Sequence, residues 1–186
     1  GAGSMSMSDD LAMAWSALAA MAHAAVPSPM VGANSEDLGP LQTFILHSNQ
    51  VPSMVRRQMI DLEAAGMVQF VRNGNPFQHY FLATSKVKVL YKLRSSGELV
   101  GFAISGAEGK GRSRQVFLYE LHAKYRKQGL GRACLEEACA DHGTHPIELN
   151  VHVGNVALGF YQRLGFKEVI DLRTAVVINM RREHEP

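Results

Sequence analysis

Residues 116–143 read VFLYELHAKYRKQGLGRACLEEACADHG, and the order of residue types in this stretch decides the fold. Gln115 to Ala123 is apolar, aromatic and β-branched with no turn residue inside it, which predicts a strand. Gly129 and Gly131 bracket Leu130 and allow a sharp turn close to a ligand. Arg132 to Ala140 is rich in helix formers, and Leu135, Ala138 and Cys139 share one face at helical spacing. Gly143 stands where that helix is expected to stop. The unit is strand, glycine loop, helix.

Such a unit offers anion binding. The first turn of a helix has unpaired N–H groups and a partial positive charge, and a glycine loop aims both at a phosphate. Arg126, Lys127 and Arg132 add formal charge around the loop. Two phosphate motifs are excluded. Gly106 to Ser113 (GAEGKGRS) has Gly after its Lys, where a Walker A loop needs Ser or Thr. Gly129-Leu130-Gly131 lacks the third glycine of the dinucleotide fingerprint.

The hexapeptide Arg126-Lys127-Gln128-Gly129-Leu130-Gly131 resembles the R/Q-x-x-G-x-G/A signature with which GNAT acetyltransferases hold the pyrophosphate of acetyl-CoA. Leu149 to Phe166 (LNVHVGNVALGFYQRLGF) resembles the next strand and helix of that family, with Asn155 opening the helix and Tyr161 before its end. The resemblance spans about Phe44 to Met180 and implies an α+β GNAT fold: a mixed, mostly antiparallel sheet of six to seven strands flanked by helices. It implies acetyl-CoA as co-substrate, held by Arg126 to Arg132, by Asn155, and by backbone groups of Leu121, His122 and Ala123 where the strand splays from its neighbour.

Composition agrees with one globular domain: 186 residues, 46% hydrophobic, 19% charged. A net charge of +2 argues against nucleic acid as a partner. No apolar run approaches ~18 residues, so no membrane span is expected. Cys134 and Cys139, five apart on one predicted helix, should face different sides, form no disulfide and suit a reducing compartment, cytoplasmic or nuclear.

Along the chain, Gly1 to Ser4 reads as a cloning scar before Met5. Residues 5–40 read as an extension: a helix over Asp9 to Val26, then a Pro- and Gly-rich linker over Pro27 to Pro40. Residues 41–182 form the acetyltransferase domain and 183–186 a tail. Inside the domain, Leu41 to His47 is a strand. A helix capped by Ser53 and stopped by Gly66 has Val55, Met59, Leu62 and Ala65 on its apolar side. Asn73 to Pro76 is a turn. Val87 to Leu93 alternates with Lys88 and Lys92 on the polar side, turns at Ser95 to Glu98, and returns over Leu99 to Ser105. Gly106 to Arg114 is a polar loop. Ile147 to Val153 is a strand, Asn155 to Leu164 a helix, and Phe166 to Leu172 and Thr174 to Met180 two closing strands.

Direct acetyl transfer needs a base for the amine, donors for the oxyanion and an acid for the departing thiolate. Glu120, a carboxylate in an apolar strand, is the candidate general base, acting through water. Tyr161 is the candidate acid. Tyr119 is a candidate for holding the acceptor amine. Strand alternation puts Tyr119 and Leu121 on one face and Glu120 and His122 on the other. His122 is a weaker base candidate, with a side chain expected to line cofactor or solvent. His142, His145 and His152 lack neighbouring Cys or carboxylate ligands, and no metal is expected.

For the acceptor, Leu118-Tyr119-Glu120-Leu121 before the glycine loop is similar to the NatD-type protein N-terminal acetyltransferases, where a Tyr-Glu pair on this strand lies at the active site. That resemblance implies a protein or peptide N-terminus as partner, with a histone tail as the basic example, and an acidic groove to which Glu36, Asp37, Asp61 and Glu63 could contribute. A GNAT enzyme of small amines, such as polyamines or amino sugars, and an idle acetyl-CoA-binding module are the alternatives.

Overall fold

The computed structural model describes residues 38–67, 87–108, 114–170 and 177–183. The expected helix over Asp9 to Val26, the turn at Asn73 to Pro76, the tip of the Gly106 to Arg114 loop, and Glu36 and Asp37 lie outside them.

The elements follow the expected order: β1 (Leu41–His47), α1 (Ser53–Met67), β2 (Val87–Arg94), β3 (Leu99–Glu108), β4 (Gln115–Ala123), α2 (Leu130–Asp141), β5 (Ile147–His152), α3 (Leu158–Arg163), β6 (Lys167–Glu168) and β7 (Val177–Arg182). One sheet runs β1-β2-β3-β4-β5-β7-β6. Only β4 and β5 pair in parallel, so the sheet is mixed and mostly antiparallel. Among the described residues the architecture is a mixed sheet of seven strands flanked by three helices, as the family resemblance implies.

The central strands are covered on both faces. On one face α2 and α3 close a core that includes Leu90, Ala103, Leu118, Cys134, Leu135, Leu149 and Met180. On the other, α1 covers Val89, Tyr91, Phe102 and Ile104 with Val55 and Met59. Two-sided burial explains why Lys92 is not the solvent-facing residue that alternation predicts. It is 4% exposed. Its ammonium donates to Glu137 Oε1 (2.6 Å) and Thr43 Oγ1 (2.7 Å), which offsets the cost of burying the charge. Lys88 meets Asp141, four residues further along α2, at 2.6 Å.

Several boundaries shift. α1 passes through Gly66 to Met67, and Ser53 is its first residue rather than its cap. Its buried stripe is Val55, Met59 and Glu63, whereas Ala65 is exposed. α2 begins at Leu130, so Gly131 belongs to the helix. α3 begins at Leu158, three residues after Asn155. Of the strand expected over Phe166 to Leu172, the described residues form β6 at Lys167–Glu168, with residues 171 and 172 outside them, and the last strand ends at Arg182. Cys134 and Cys139 do not face different sides: both are buried in the core under α2 as free thiols. Their side chains fill that core, and burial pushes the thiols up to about 12 and about 11.

Candidate active site

The site begins where two strands part. β4 pairs with β5 at Val116, Phe117 and Leu118 and no further, although both strands continue. At the same level the β3–β4 register slips: Ser105 faces Leu118 and Ile104 faces Glu120, leaving Tyr119 as the extra residue of a bulge. The expected splay is therefore present, with the bulge at its origin.

The bulge corrects the side-chain alternation. Leu118 and Leu121 join the α2-side core, while Tyr119 packs in the α1-side core. The Tyr119 ring lies over Gly106, where an added Cβ would come within 2.9 Å of it. Glu120 and His122 are gathered with Glu63 of α1, and the His122 ring stacks on Phe102 at 5.0 Å. Tyr119 thus shares a face with Glu120 and His122, not with Leu121, because one inserted residue resets the two-residue period.

The backbone beyond the bulge is partly free. Lys124 N–H donates to the Val100 carbonyl at 2.8 Å. The alternation of an antiparallel ladder then makes His122–Phe102 a bonded pair and turns Leu121 and Ala123 away from β3. Of the three backbone positions expected to face the splay, Leu121 and Ala123 do so. His122 instead contributes its ring, which is neither solvent-facing nor idle. His122 Nε2 lies 2.8 Å from Glu120 Oε2.

Glu120 is 7% exposed. One oxygen or nitrogen from each of Glu63, Glu120 and His122 lies within 4.8 Å of the others, and Glu63 is 3% exposed. Among the described residues this is the one group of three ligand-type side chains found together, and it excludes His142, His145 and His152. His142 instead shares a hydrogen with Ser105 Oγ at 2.9 Å. Gln58 anchors α1 to the β2–β3 turn, accepting from Leu99 N–H (2.8 Å) and donating to the Gly97 carbonyl (3.1 Å), which fixes where Glu63 enters the site. The spacing of four that links Val55, Met59 and Glu63 carried this placement in the sequence, but a carboxylate does not read as a core residue.

Tyr161 of α3 approaches from the other side of the splay. Its ring packs edge-on against Phe160 and Phe166. Burial first, and the Glu120 charge second, raise its phenol above the ordinary tyrosine range. Asn155 does not open α3 directly: its Oδ1 accepts from Ala157 N–H at 2.8 Å, and its carbonyl accepts from Leu158 N–H at 3.0 Å, forming the turn before the helix.

The glycine loop fits a pyrophosphate. Gly129 precedes α2 with φ 76°, and a Cβ there would point into open space. Lys127 also adopts φ 61°, alone among the described non-glycine residues. A left-handed residue beside one of ordinary φ turns neighbouring N–H groups toward one side, as in anion-binding loops, and Gln128 stands between two left-handed residues here. The first helical bond is Ala133 N–H to the Gly129 carbonyl at 2.9 Å, so the N–H groups of residues 130–132 have no helical partner. No acidic side chain stands in the first turn of α2, and Arg126, Lys127 and Arg132 are exposed around it, with Gln128 half-buried. The start of the loop is tied down by Glu98, which accepts from Lys124, Arg94 and Tyr125. The Lys124 ammonium holds the Glu98 carboxyl below the usual range. A Cβ at Gly131 would meet the Phe160 ring at 3.7 Å, so the start of α2 and α3 pack against each other.

The sequence model of the acetyltransferase (GNAT) domain matches residues 76–168, half of the chain, and the chain belongs to that family. It is an N-acetyltransferase, one that transfers an acetyl group to an amine. Solved structures with the same fold include Escherichia coli ElaA (20% identity, 77% of this chain and 100% of that one, TM-score 0.59). An acyl-CoA N-acyltransferase from Pseudomonas aeruginosa is 18% identical over 77% of this chain and 99% of its own, with TM-score 0.60. Arabidopsis thaliana NAA60, solved with a bisubstrate analogue, is 16% identical over 78% of this chain and 100% of its own, with TM-score 0.60. At these identities the likeness is one of fold. No curated protein matches the chain.

Proposed function

We propose that this acetyltransferase acts on the α-amine of a protein N-terminus, of the NatD type, with a basic histone tail as the model acceptor. The observation that carries the reading is the bulge that turns Tyr119 and Glu120 to the same face beside the splay. A phenol and a buried carboxylate on one face suit a cationic amine that must be held and deprotonated.

Bound acetyl-CoA supplies the activated acyl group. The chain's residues do the rest. Backbone groups of Leu121 and Ala123, facing away from β3, hold the pantetheine arm and polarise the thioester carbonyl, with Asn155 at the far side of the splay. The loop from Arg126 to Arg132 receives the pyrophosphate. Glu120 takes a proton from the ammonium, and the freed lone pair attacks the carbonyl carbon. The C–S bond breaks as Tyr161 donates its phenolic proton to the leaving sulfur, the nitrogen's second proton passes back to the Tyr161 oxygen, and Glu120 releases the proton it took to solvent. The raised phenol keeps that proton at neutral pH until it is needed. The balance is one amide, one thiol and one proton released to solvent. A polyamine acceptor is the second reading, favoured by the two buried carboxylates Glu63 and Glu120.

Three acceptors offered with acetyl-CoA separate the readings: a peptide with a free, basic N-terminus, the same peptide with its α-amine blocked, and spermidine. Mass spectrometry should find acetyl on the free α-amine alone. Equal acetylation of both peptides would move the acceptor to lysine, and acetylation of spermidine alone would sink the protein reading.

A further inference from the structure

An acidic residue stands where an anion site favours cations. Arg126, Lys127 and Arg132 are exposed around the cofactor loop, yet the two residues just ahead of it, Lys124 and Tyr125, both donate to Glu98 of the β2–β3 turn. By charge alone a carboxylate here weakens the binding of a pyrophosphate. What Glu98 contributes is geometry.

Glu98 is itself held firmly. Its carbonyl accepts from Arg94 N–H at 2.9 Å, and Gly97 N–H donates to the Arg94 carbonyl at 2.9 Å. On either side of it, Gln58 of α1 donates to the Gly97 carbonyl (3.1 Å) and accepts from Leu99 N–H (2.8 Å). The carboxylate leaves this fixed turn with both oxygens engaged. Oε1 accepts from the Lys124 ammonium and, at 3.2 Å, from the Tyr125 hydroxyl. Oε2 accepts from Arg94 Nη1 at 3.2 Å. The Arg94 and Lys124 cations also lie 5.8 and 5.7 Å from the centre of the Tyr125 ring. One exposed ion pair contributes little, but three donors on a carboxylate fixed by its own backbone act as a network. Lys124 N–H donates to the Val100 carbonyl at 2.8 Å, one step beyond the last β3–β4 pair, Gly101–Ala123. Residues 124 and 125 are therefore tied to β3 and its turn before the loop departs.

The loop needs such an anchor. Lys127 holds φ 61° and Gly129 φ 76°, conformations that persist where the surroundings over-determine them. At the far end α2 fixes the chain from Leu130 onward. At the near end the ties to Glu98 do so. A loop fixed at both ends loses less freedom when it closes on a ligand. We propose that Glu98 is a positioning residue for the cofactor loop: through Lys124 and Tyr125 it sets the start of the loop in the shape that receives the pyrophosphate of acetyl-CoA. The inference rests on acetyl-CoA binding at Arg126 to Arg132 and is independent of the acceptor. Glu98 acts through those two residues and not by contact with a phosphate, which its charge would repel.

The direction of one affinity change tests this, read by calorimetry with CoA on the full chain. Glu98→Ala removes the acceptor of all three donors. Positioning predicts CoA binding roughly three- to tenfold weaker. Charge alone predicts tighter binding, because a negative charge has left the neighbourhood of the phosphates. A merely structural role predicts a lower Tm with the affinity unmoved. Glu98→Asp keeps the charge and draws the carboxylate back by one methylene, so its affinity should fall between those of Glu98→Ala and the native protein. In steady-state kinetics the loss of kcat/KM for acetyl-CoA should fall in KM more than in kcat.

Unchanged or tighter CoA binding by Glu98→Ala overturns the proposal. If Glu98→Ala is not folded by near-UV circular dichroism, Glu98→Asp decides alone: weaker binding supports the proposal, and native affinity overturns it. A native protein that binds no CoA removes the loop's ligand, and with it both the cofactor reading and this claim. A native protein that binds CoA, beside a variant that binds it equally well, contradicts the claim and leaves the cofactor reading standing.

Discussion

Tyr119 and Glu120 are adjacent in the chain and stand on the same face of the sheet. The bulge at Tyr119 makes this so, and it puts a phenol and a carboxylate on one face at the point where β4 leaves β5. Tyr119→Phe removes the hydroxyl and leaves the ring packed over Gly106. It should raise KM for the amine roughly ten- to a hundredfold with acetyl-CoA binding intact, since a hydrogen bond to a charged group contributes about 1.5–3 kcal/mol. Steady-state kinetics with each substrate varied in turn checks this.

Tyr161 should show its role as an acid in the pH profile. Burial and the Glu120 charge raise its phenol, so it stays protonated throughout the range in which the protein is handled. The rate of the native enzyme should rise with pH as the amine loses its proton and should show no alkaline fall from this group. Tyr161→Phe should lower kcat by roughly 10²-fold or more at every pH while keeping the shape of the ascending limb. A descending limb near neutrality that vanishes in the variant would contradict the assignment.

The loop before α2 predicts a split between two substitutions of Gly129. Its φ of 76° costs any L-residue about 1–2 kcal/mol, while its open surroundings impose no clash. Gly129→Ala should lower stability by that amount in urea titrations and still bind CoA weakly. Gly129→Asp adds an anion against the phosphates and should abolish binding in calorimetry.

His142 predicts an acid sensitivity of the fold. Burial lowers its folded value below the ordinary imidazole value, against a smaller opposing effect of Asp141. The fold therefore favours the neutral ring. That contribution is complete above about pH 6.5, the free value, and is lost as pH falls below it. Urea titrations at about pH 7.5 and about pH 5.5 should show lower stability at the acid end. His142→Gln, which preserves a partner for Ser105, should flatten the difference.

Much of this was legible before any coordinates. Gln115 to Ala123 formed the strand with those same ends, because an uninterrupted β-branched and aromatic run has no helical reading. Gly129 at the head of a helix was legible too, because two glycines before a run of helix formers read as a turn into a helix. What could not be read was whatever depended on a second chain segment. Tyr119 changed face because of a register slip against β3, which no local pattern records. Lys92 read as a surface lysine because its partners, Glu137 and Thr43, are 45 and 49 residues away. Glu63 read as a groove carboxylate because its neighbours Glu120 and His122 come from β4.

The most direct test of the account is Glu120→Gln, measured twice. CoA release, followed with a thiol reagent, gives the rate. The protein's own thiols are buried and pushed up to about 12 and about 11, so Cys134 and Cys139 should add no background in the folded enzyme. Calorimetry gives the affinity for CoA. The account predicts a rate loss of about 10²-fold or more with CoA affinity within about twofold of native. An unchanged rate, or a rate that falls only in step with CoA affinity, would contradict it.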